Sequence, residues 1–233
     1  MSKPVVGIIA KHYKKDMKRL DTVIHDEIEQ AIFDNGGIAI GIIPPNEGKV
    51  HGKNEWYDNL TTTEKHNFYD QISLCDGILL QGGGYTDEYE IFIAKYCHEN
   101  DIPILGICAG KHVLVRAVGG STGPVGNEQH QSEEKYVHTI QIEKQSKLYE
   151  IIGKNEIEVN SRHVNKTITS PLKVSATSPD HIIEAEEDPS KRFYLGVQFH
   201  PENLYKKDEN MRKIFIAFLS ACSEYKEQKG QQL

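Results

Sequence analysis

Apolar residues along this chain fall into short unbroken runs that alternate with longer stretches of helical spacing. The first run, residues 5–10, predicts a buried strand, and the helical spacing that follows it stops at an Asn-Gly-Gly turn, residues 35–37. Further strands are predicted at 38–43, 77–80 and 103–107, and further helices at 61–73, 87–100 and 109–118. Strands separated by helices of this length imply right-handed crossovers and a mostly parallel sheet, so ligands should gather at the carboxyl ends of the strands.

The pattern changes after residue 120, where short strands follow one another with little helix between them. These strands are predicted at 137–142, 157–160, 172–177, 182–185 and 193–199, with one short helix at 146–152. Such a series is typical of antiparallel additions to a parallel sheet, so the predicted class is α/β with a mostly parallel central sheet and antiparallel additions in the C-terminal half. We expect residues 121–136 to form a mobile loop over the functional site at the carboxyl ends of the strands.

Composition adds limits to this picture. The 233 residues, 38% apolar and 26% charged, suit one soluble domain, predicted at 1–226, with a last helix from Lys207 or Asp208 and a disordered tail at 227–233. The net charge of −7 argues against a nucleic-acid partner, and residues 11–19, the one basic cluster, should form a solvated loop. The sequence shows neither a signal peptide nor a membrane-spanning segment, so we expect a cytoplasmic protein without a membrane partner.

Four cysteines, at positions 75, 97, 108 and 222, form no C-x-x-C pair and no Cys/His spacing of a zinc site. This pattern favours free thiols in a reducing compartment. Cys75, Cys97 and Cys222 lie in or beside predicted elements and are interpreted as packing residues.

Cys108 stands apart because it ends an apolar run within Gly-Ile-Cys-Ala-Gly, residues 106–110. A strand that stops in such a turn and passes at once into a helix has the pattern of a nucleophile elbow, in which the glycines permit the close approach of strand and helix. The helix N-terminus would favour the thiolate. The alternative is that Cys108 is a small buried hydrophobic residue.

Two further motifs lie at the ends of predicted strands. Gly82-Gly83-Gly84 lacks the spacing of a phosphate-binding loop, but the N–H groups of Gly83 or Gly84, together with that of Ala109, could form an oxyanion hole beside Cys108. The alternative is a tight turn without a ligand. His200-Pro201-Glu202 follows another strand, where residues two apart share a face, so Glu202 can orient His200 as a base for a thiol.

The two motifs at residues 106–110 and 196–202, Gly-Ile-Cys-Ala-Gly and Gly-Val-Gln-Phe-His-Pro-Glu, together resemble the class I glutamine amidotransferase superfamily. Within it, Val-Asn-Ser-Arg-His at 159–163, preceded by Tyr-Val-His at 136–138 and followed by the stretch 178–185, resembles the γ-glutamyl hydrolases, and most closely the branch that cleaves γ-glutamyl-γ-aminobutyrate.

The resemblance implies a flavodoxin-like fold with helices on both faces of the sheet and a Cys108–His200–Glu202 hydrolase. Its substrate would be a small γ-glutamyl amide, cleaved through a glutamyl thioester with no metal and no organic cofactor. Two alternatives stay open. The chain could be the glutaminase subunit of an amidotransferase that passes ammonia to a separate synthase, or a non-catalytic binding protein on the same fold. A homodimer is also left open.

Three residues are candidates for substrate binding. His112 occupies the position where the amidotransferase pattern usually carries Gln, and we hypothesise that it or Lys111 supplies a cationic or switchable donor. The alternative is that Lys111 faces solvent and His112 packs locally. Arg162 beside His163 could bind a carboxylate of the substrate, although an arginine there could equally form a surface ion pair.

Overall fold

The computed structural model of the chain describes residues 2–14, 20–43, 61–83, 88–126 and 130–231. Predictions made for Gly84 and for residues 127–129 within the expected loop therefore lie outside the described residues.

Strands and helices alternate through the first half of the chain, and strands dominate after residue 120. The strands are β1 Val5–Ile9, β2 Lys11–Lys14, β3 Leu20–Val23, β4 Ile38–Ile42, β5 Gly77–Leu80, β6 Ile104–Ile107, β7 Ser121–Pro124, β8 His138–Ile142, β9 Glu156–Val159, β10 Asn165–Thr169, β11 Lys173–Thr177, β12 Ile183–Glu187 and β13 Tyr194–Val197. The helices are α1 Asp26–Asp34, α2 Thr62–Ser73, α3 Glu88–Glu99, α4 Ala109–Ala117, α5 Lys147–Ile152 and α6 Glu209–Gly230, with a 3-10 turn at Pro201–Asn203.

One sheet organises the described residues, with nine strands in the order β4-β1-β5-β6-β13-β12-β11-β8-β9. The five strands from β4 to β13 are parallel and have the flavodoxin-like order, whereas β12, β11, β8 and β9 pair antiparallel. The predicted α/β class is confirmed. Because β5, β6 and β13 are parallel neighbours, the residues that follow them meet at one edge of the sheet.

Helices cover both faces of this sheet. One apolar layer lies between the sheet and α1, α5 and α6, and the other lies under α2, α3 and α4. Within β5, for example, Leu79 faces the first layer while Ile78 and Leu80 face the second. Burial on both faces explains why the parallel strands appear in the sequence as unbroken apolar runs.

Local signals in the sequence placed several element ends correctly. Thr61 Oγ1 accepts a hydrogen bond from Glu64 N at 3.2 Å, and Glu64 Oε2 accepts one from Thr61 N at 2.7 Å, so a capping box begins α2 where the sequence predicts a helix. Asp208 caps α6 by accepting a hydrogen bond from Asn210 N. No helix among the described residues combines the length and the apolar character needed to cross a bilayer.

Residues 11–14 of the basic cluster were wrongly predicted as part of a solvated loop, and residues 15–19 of it lie outside the described residues. Strands β2 and β3 form an antiparallel hairpin there, and Lys11 is 1% exposed. Its Nζ lies 3.1 Å from Glu90 Oε2, so the buried ammonium is paired. The partner lies 79 residues away in the chain, where no local pattern reveals it.

Two other expectations were wrong. Part of the predicted loop at 121–136 is strand β7, which pairs antiparallel with β10, and the polar composition of both strands hid them from an analysis of apolar patterns. Helix α6 continues to Gly230, four residues into the predicted disordered tail. Its end is anchored because Lys226 Nζ donates a hydrogen bond to Lys3 O and Lys229 Nζ donates one to Ser73 O.

Lys111 belongs to the interior and faces neither solvent nor a ligand. Its Nζ lies 2.8 Å from Glu186 Oε2 and donates a hydrogen bond to Thr167 Oγ1 at 2.7 Å, and the Thr167 hydroxyl donates to the same carboxylate oxygen at 2.6 Å. Lys111 and Glu186 are both 0% exposed. This ion pair joins α4 to β12 and rules out both roles considered for Lys111 from the sequence.

We expect Lys111→Met to lower the free energy of unfolding by about 3–5 kcal/mol, because it leaves the Glu186 carboxylate buried without a cation. The double variant Lys111→Met/Glu186→Leu should recover most of that loss, since it removes both charges. Lys95→Met, which removes an exposed pair with Glu99, is the control and should cost less than about 0.5 kcal/mol. Urea unfolding monitored by circular dichroism measures all three, and equal losses for Lys111→Met and Lys95→Met would contradict the analysis.

Candidate active site

Cys108 occupies the turn between β6 and α4 with a φ of +52° and a ψ of −106°, a conformation that L-residues rarely adopt. Its N–H donates a hydrogen bond to Val197 O at 2.8 Å, which ties the turn to β13. A Cβ atom on Gly106 would lie 2.6 Å from Gly110 O, and one on Gly110 would lie 2.1 Å from Leu80 O. Only glycine fits at these two positions, and the turn has the geometry of a nucleophile elbow.

His200 follows β13, and Glu202 lies in the 3-10 turn that comes next. His200 Nδ1 is 2.6 Å from Glu202 Oε1, and both side chains are largely buried. Pro201 stands at the first position of this turn and helps to fix its direction. The carboxylate therefore orients the imidazole, as the sequence motif predicted.

Asn160, at the end of β9, holds the backbone of His200 in place. Its Nδ2 donates a hydrogen bond to His200 O at 2.9 Å, and its Oδ1 accepts one from His200 N at 2.7 Å. The two bonds fix the peptide groups on both sides of the imidazole. Analysis of the sequence gave Asn160 no role, because nothing local shows that the end of β9 reaches the residue after β13.

Gly82, the second residue after β5, permits the thiol and the imidazole to lie side by side. A Cβ atom there would lie 2.7 Å from His200 Cε1 and 3.3 Å from Cys108 Cβ. The sequence analysis assigned the glycine run to an oxyanion hole and missed this steric role. Gly83 has a φ of +78°, and Gly83 and Ala109 line the same pocket as Cys108.

The environment of His200 favours its charged form. Burial lowers the pKa of His200, but the charge of Glu202 and hydrogen bonds to Cys108 and Glu202 outweigh burial and raise it well above the usual value. The folded-state pKa therefore lies above the unfolded value of about 6.5. It follows that the imidazolium stabilises the folded chain fully below that pH, and that this contribution is lost as the pH rises through the folded-state pKa.

A pocket of about 470 Å³ opens above these groups, within the usual size range of small-molecule sites, about 300–1,000 Å³. The described residues that line it are His25, Glu27, Gly82, Gly83, Cys108, Ala109, His112, Arg162, His163, Val164, Asn165, His200, Glu202 and Asn203. The structure thus brings the predicted residues 83, 108, 109, 112, 162, 163, 200 and 202 to one place. The sequence analysis missed His25 and Glu27, which follow the β2–β3 hairpin.

His112 lies in the wall of the pocket and is 5% exposed. Burial, with the nearby charge of Lys111, lowers the pKa of His112 to about 3, and the nearby Gln198 side chain opposes this effect only in part. The imidazole is therefore neutral at neutral pH, and the hypothesis of a cationic or switchable donor at this position was wrong. Gln198 Nε2 in turn donates to Cys108 Sγ at 3.9 Å, so His112 lies behind the thiol.

Arg162 and His163 differ in what they offer to the pocket. Arg162 is partly exposed; its Nη1 donates to Asn203 Oδ1 at 3.2 Å, and its Nη2 lies 3.4 Å from Glu133 Oε2. His163 presents its ring to the pocket, but its Nδ1 lies 2.9 Å from Asn165 O and its Nε2 lies 3.5 Å from a carboxylate oxygen of Glu184. Arg162 is therefore the one of the two that can reach a ligand with a polar group.

The model of the Peptidase C26 family matches residues 85–202, about half of the chain, and the chain belongs to this family. The match includes Cys108, His200 and Glu202. Family and fold together make the protein a cysteine hydrolase of the glutamine amidotransferase type.

Curated relatives include CTP synthases. The chain is 29% identical over 204 residues to that of Chlamydia muridarum and 30% identical over 211 residues to that of Staphylococcus carnosus, with 72% and 75% of this chain covered. It spans only 38% and 39% of the length of these relatives.

Solved structures with this fold include a Thermoplasma acidophilum protein assigned as one of the subunits of GMP synthase, with a TM-score of 0.70 at 17% identity and 98% of both chains covered. The glutaminase domain of Trypanosoma brucei CTPS with bound acivicin follows at a TM-score of 0.65 and 18% identity, with 95% of this chain and 94% of that chain covered. At these identities the likeness concerns the fold.

Iodoacetamide should alkylate Cys108 and leave the other three cysteines unmodified in the folded chain. Burial raises the pKa of Cys75 to about 12 and also raises the pKa values of Cys97 and Cys222, so these thiols stay protonated and inaccessible. Intact-mass analysis should show one adduct, and none in Cys108→Ala. Adducts of equal yield on Cys108 and Cys75 would contradict the assignment.

Glu202→Gln should lower the pKa of His200, because it removes the charge that most strongly opposes the effect of burial. Titration of the imidazole by NMR measures the shift. Glu134→Gln, at an exposed position, is the matched control and should leave that pKa unchanged. An unchanged His200 titration in Glu202→Gln would show that this carboxylate does not set the charge of the imidazole.

Proposed function

We propose that this chain hydrolyses the amide of a γ-glutamyl compound, with Cys108 as nucleophile, His200 as acid and base and Glu202 as the group that orients His200. The observation that carries the proposal is an imidazole held between a buried carboxylate and a thiol at the base of a pocket. Such an arrangement activates the thiol and keeps a proton available for a departing amine.

The chemistry divides into two steps. The Cys108 thiolate attacks the γ-carbonyl carbon, and a tetrahedral oxyanion forms and is stabilised by the N–H groups of Ala109, at the start of α4, and of Gly83. The imidazolium of His200 protonates the nitrogen as the C–N bond breaks, which leaves a glutamyl thioester and the free amine. His200 then takes a proton from water, the hydroxide adds to the thioester, and glutamate leaves as the thiol re-forms.

Two residues of opposite charge line the pocket and suit the glutamate part of the substrate. The exposed carboxylate of Glu27 can pair with an α-ammonium group, and the guanidinium of Arg162 can bind an α-carboxylate with two parallel hydrogen bonds. A free amino acid end carries both charges, so this pair of residues favours a γ-linked glutamate. His112, neutral and behind the thiol, contributes shape to the pocket and carries no charge.

L-Glutamine is the substrate that the comparisons favour, since the relatives are CTP synthases and one fold neighbour is a glutaminase domain. On this proposal the chain releases ammonia for a synthase, which would be a second protein or a further part of a longer one. A larger γ-glutamyl amide, such as γ-glutamyl-γ-aminobutyrate, is the second candidate because the pocket has a volume of about 470 Å³ and is open to solvent.

Glutamate release by the purified chain tests the proposal. The substrates are L-glutamine and a panel of γ-glutamyl amides that includes γ-glutamyl-γ-aminobutyrate. Release should depend on Cys108 and fall by at least about a thousandfold in Cys108→Ala, because no other thiol lies in the pocket wall among the described residues. Cys75→Ala, which also removes a buried thiol, should retain activity and is the control.

The substrate profile then separates the two candidates. Fast release from the amides identifies a free-standing hydrolase, whereas slow release from glutamine alone indicates a glutaminase that needs a synthase. Equal activities of Cys108→Ala and the native chain would overturn the proposal for both substrates.

A further inference from the structure

Four titratable side chains with no part in the proposed reaction meet behind the wall of the pocket. His130 Nδ1 and His138 Nε2 each lie 3.6 Å from Glu184 Oε1, and His163 Nε2 lies 3.5 Å from the same oxygen. His130, His163 and Glu184 are at most 3% exposed, and the His138 side chain is 15% exposed. Three imidazoles therefore surround one buried carboxylate.

Strand β12 carries three fully buried carboxylates, and Glu184 differs from the other two. Glu186 pairs with Lys111, and Glu187 accepts hydrogen bonds from the Ser175 hydroxyl at 2.6 Å and from the N–H of Lys147 at 2.8 Å. Neither oxygen of Glu184 accepts a hydrogen bond from any residue that the structure describes. A buried carboxylate in this state requires a cation or a proton.

The second nitrogen of each imidazole shows which form the rings take. His138 Nδ1 lies 3.1 Å from Thr139 O, and His163 Nδ1 lies 2.9 Å from Asn165 O. His130 Nε2 lies 3.0 Å from Asp180 Oδ2. A carbonyl or carboxylate oxygen only accepts, so each of these nitrogens carries a hydrogen, and in the neutral form of each ring the other nitrogen directs a lone pair at Glu184.

Lone pairs directed at a carboxylate repel it unless a positive ion lies between them. The Nε2 atoms of His138 and His163 have no hydrogen-bond partner among the described residues. Ser161 Oγ lies 3.3 Å from His130 Nδ1, but its hydroxyl donates to His130 O at 3.0 Å. The outer hydrogen bonds match those that orient histidine ligands in metal sites.

We propose that His130, His138 and Glu184 bind one divalent transition-metal ion, and that this ion is Zn²⁺. Two imidazole nitrogens and one carboxylate oxygen are ligands that Zn²⁺ accepts, with bonds of about 2.0–2.2 Å, so that the edges of the tetrahedron measure about 3.3–3.6 Å and a fourth position is left for water. The distances of 3.6 Å from His130 Nδ1 and from His138 Nε2 to Glu184 Oε1 agree with such edges, and the candidate ligand atoms of these three residues lie within 4.8 Å of one another. His163 is not a member of this group, although its Nε2 lies 3.5 Å from the same carboxylate oxygen.

The ion would have a structural role. It would join the turn at His130 and strand β8 to strand β12, which pairs with β13. The turn at His130 is in turn bonded to the segment after β9, because His163 N donates a hydrogen bond to His130 O at 2.8 Å. The segment after β9 also carries Asn160, which holds His200. Metal bound here would therefore fix the backbone of the catalytic imidazole from a distance without touching the substrate.

Metal analysis of the untagged full chain, produced in zinc-supplemented medium, tests the proposal. We expect about one zinc per chain, and the chelator-treated chain should give the visible absorption bands of tetrahedral Co²⁺ on titration with that ion. Glu184→Gln should abolish the stoichiometric zinc. His66→Gln, which removes an exposed histidine of α2, is the matched control and should bind as the native chain does.

A second variant keeps the test decisive if Glu184→Gln does not fold. Asp180→Asn changes a partly exposed residue that orients His130 through one oxygen and accepts a hydrogen bond from the Ser178 hydroxyl through the other, and it should weaken Co²⁺ binding about 10–100-fold without loss of the fold. The proposal would be overturned if the native chain contained no stoichiometric zinc and gave no tetrahedral Co²⁺ spectrum. Protons shared with the imidazoles would then balance the charge of Glu184. Unchanged binding in Asp180→Asn and Glu184→Gln would also overturn it, because the ion would then lie elsewhere.

Discussion

The site depends on how closely helix α4 approaches strands β5 and β6. A Cβ atom on Gly110 would lie 2.1 Å from Leu80 O, and one on Gly106 would lie 2.6 Å from Gly110 O. This approach forces Cys108 into a positive φ and brings the first N–H groups of α4 to the edge of the sheet. The same edge carries Gly82, where any side chain would displace the imidazole, so three glycines set the distance between nucleophile and base.

Charges buried in the C-terminal half give this arrangement its second support. Strand β12 lies next to β13, and its carboxylates at 184, 186 and 187 point into the protein, where each meets a different partner. One of them, Glu186, pairs with Lys111 and so anchors α4, the helix that begins at the nucleophile. Buried polar groups of this kind stabilise the fold only when each charge and each hydrogen-bonding atom has a partner. They then fix how the layers of the protein align with one another.

The sequence predicts those parts of the fold and site that depend on neighbours in the chain. Strands buried on both faces appear in the sequence as apolar runs. The cap of α2 joins Thr61 to a residue three positions later. The elbow is a contiguous motif. The rest depends on distant partners. Nothing near Lys11 indicates Glu90, nothing near Asn160 indicates His200, and the polar strands β7 and β10 become visible only when paired. The neutral state of His112 likewise follows from burial, which spacing does not reveal.

The two halves of the sheet therefore contribute differently to one site. The parallel half supplies the nucleophile and the backbone donors through turns whose shape is set by glycine, and its geometry is rigid because both faces are packed. The antiparallel half supplies alignment through side chains, with Asn160 holding the peptide of His200 and Glu186 pairing with Lys111 of α4. If Glu27 and Arg162 bind the substrate as proposed, a change in substrate can arise from these two residues at the rim of the pocket, while both supports of Cys108 and His200 stay in place.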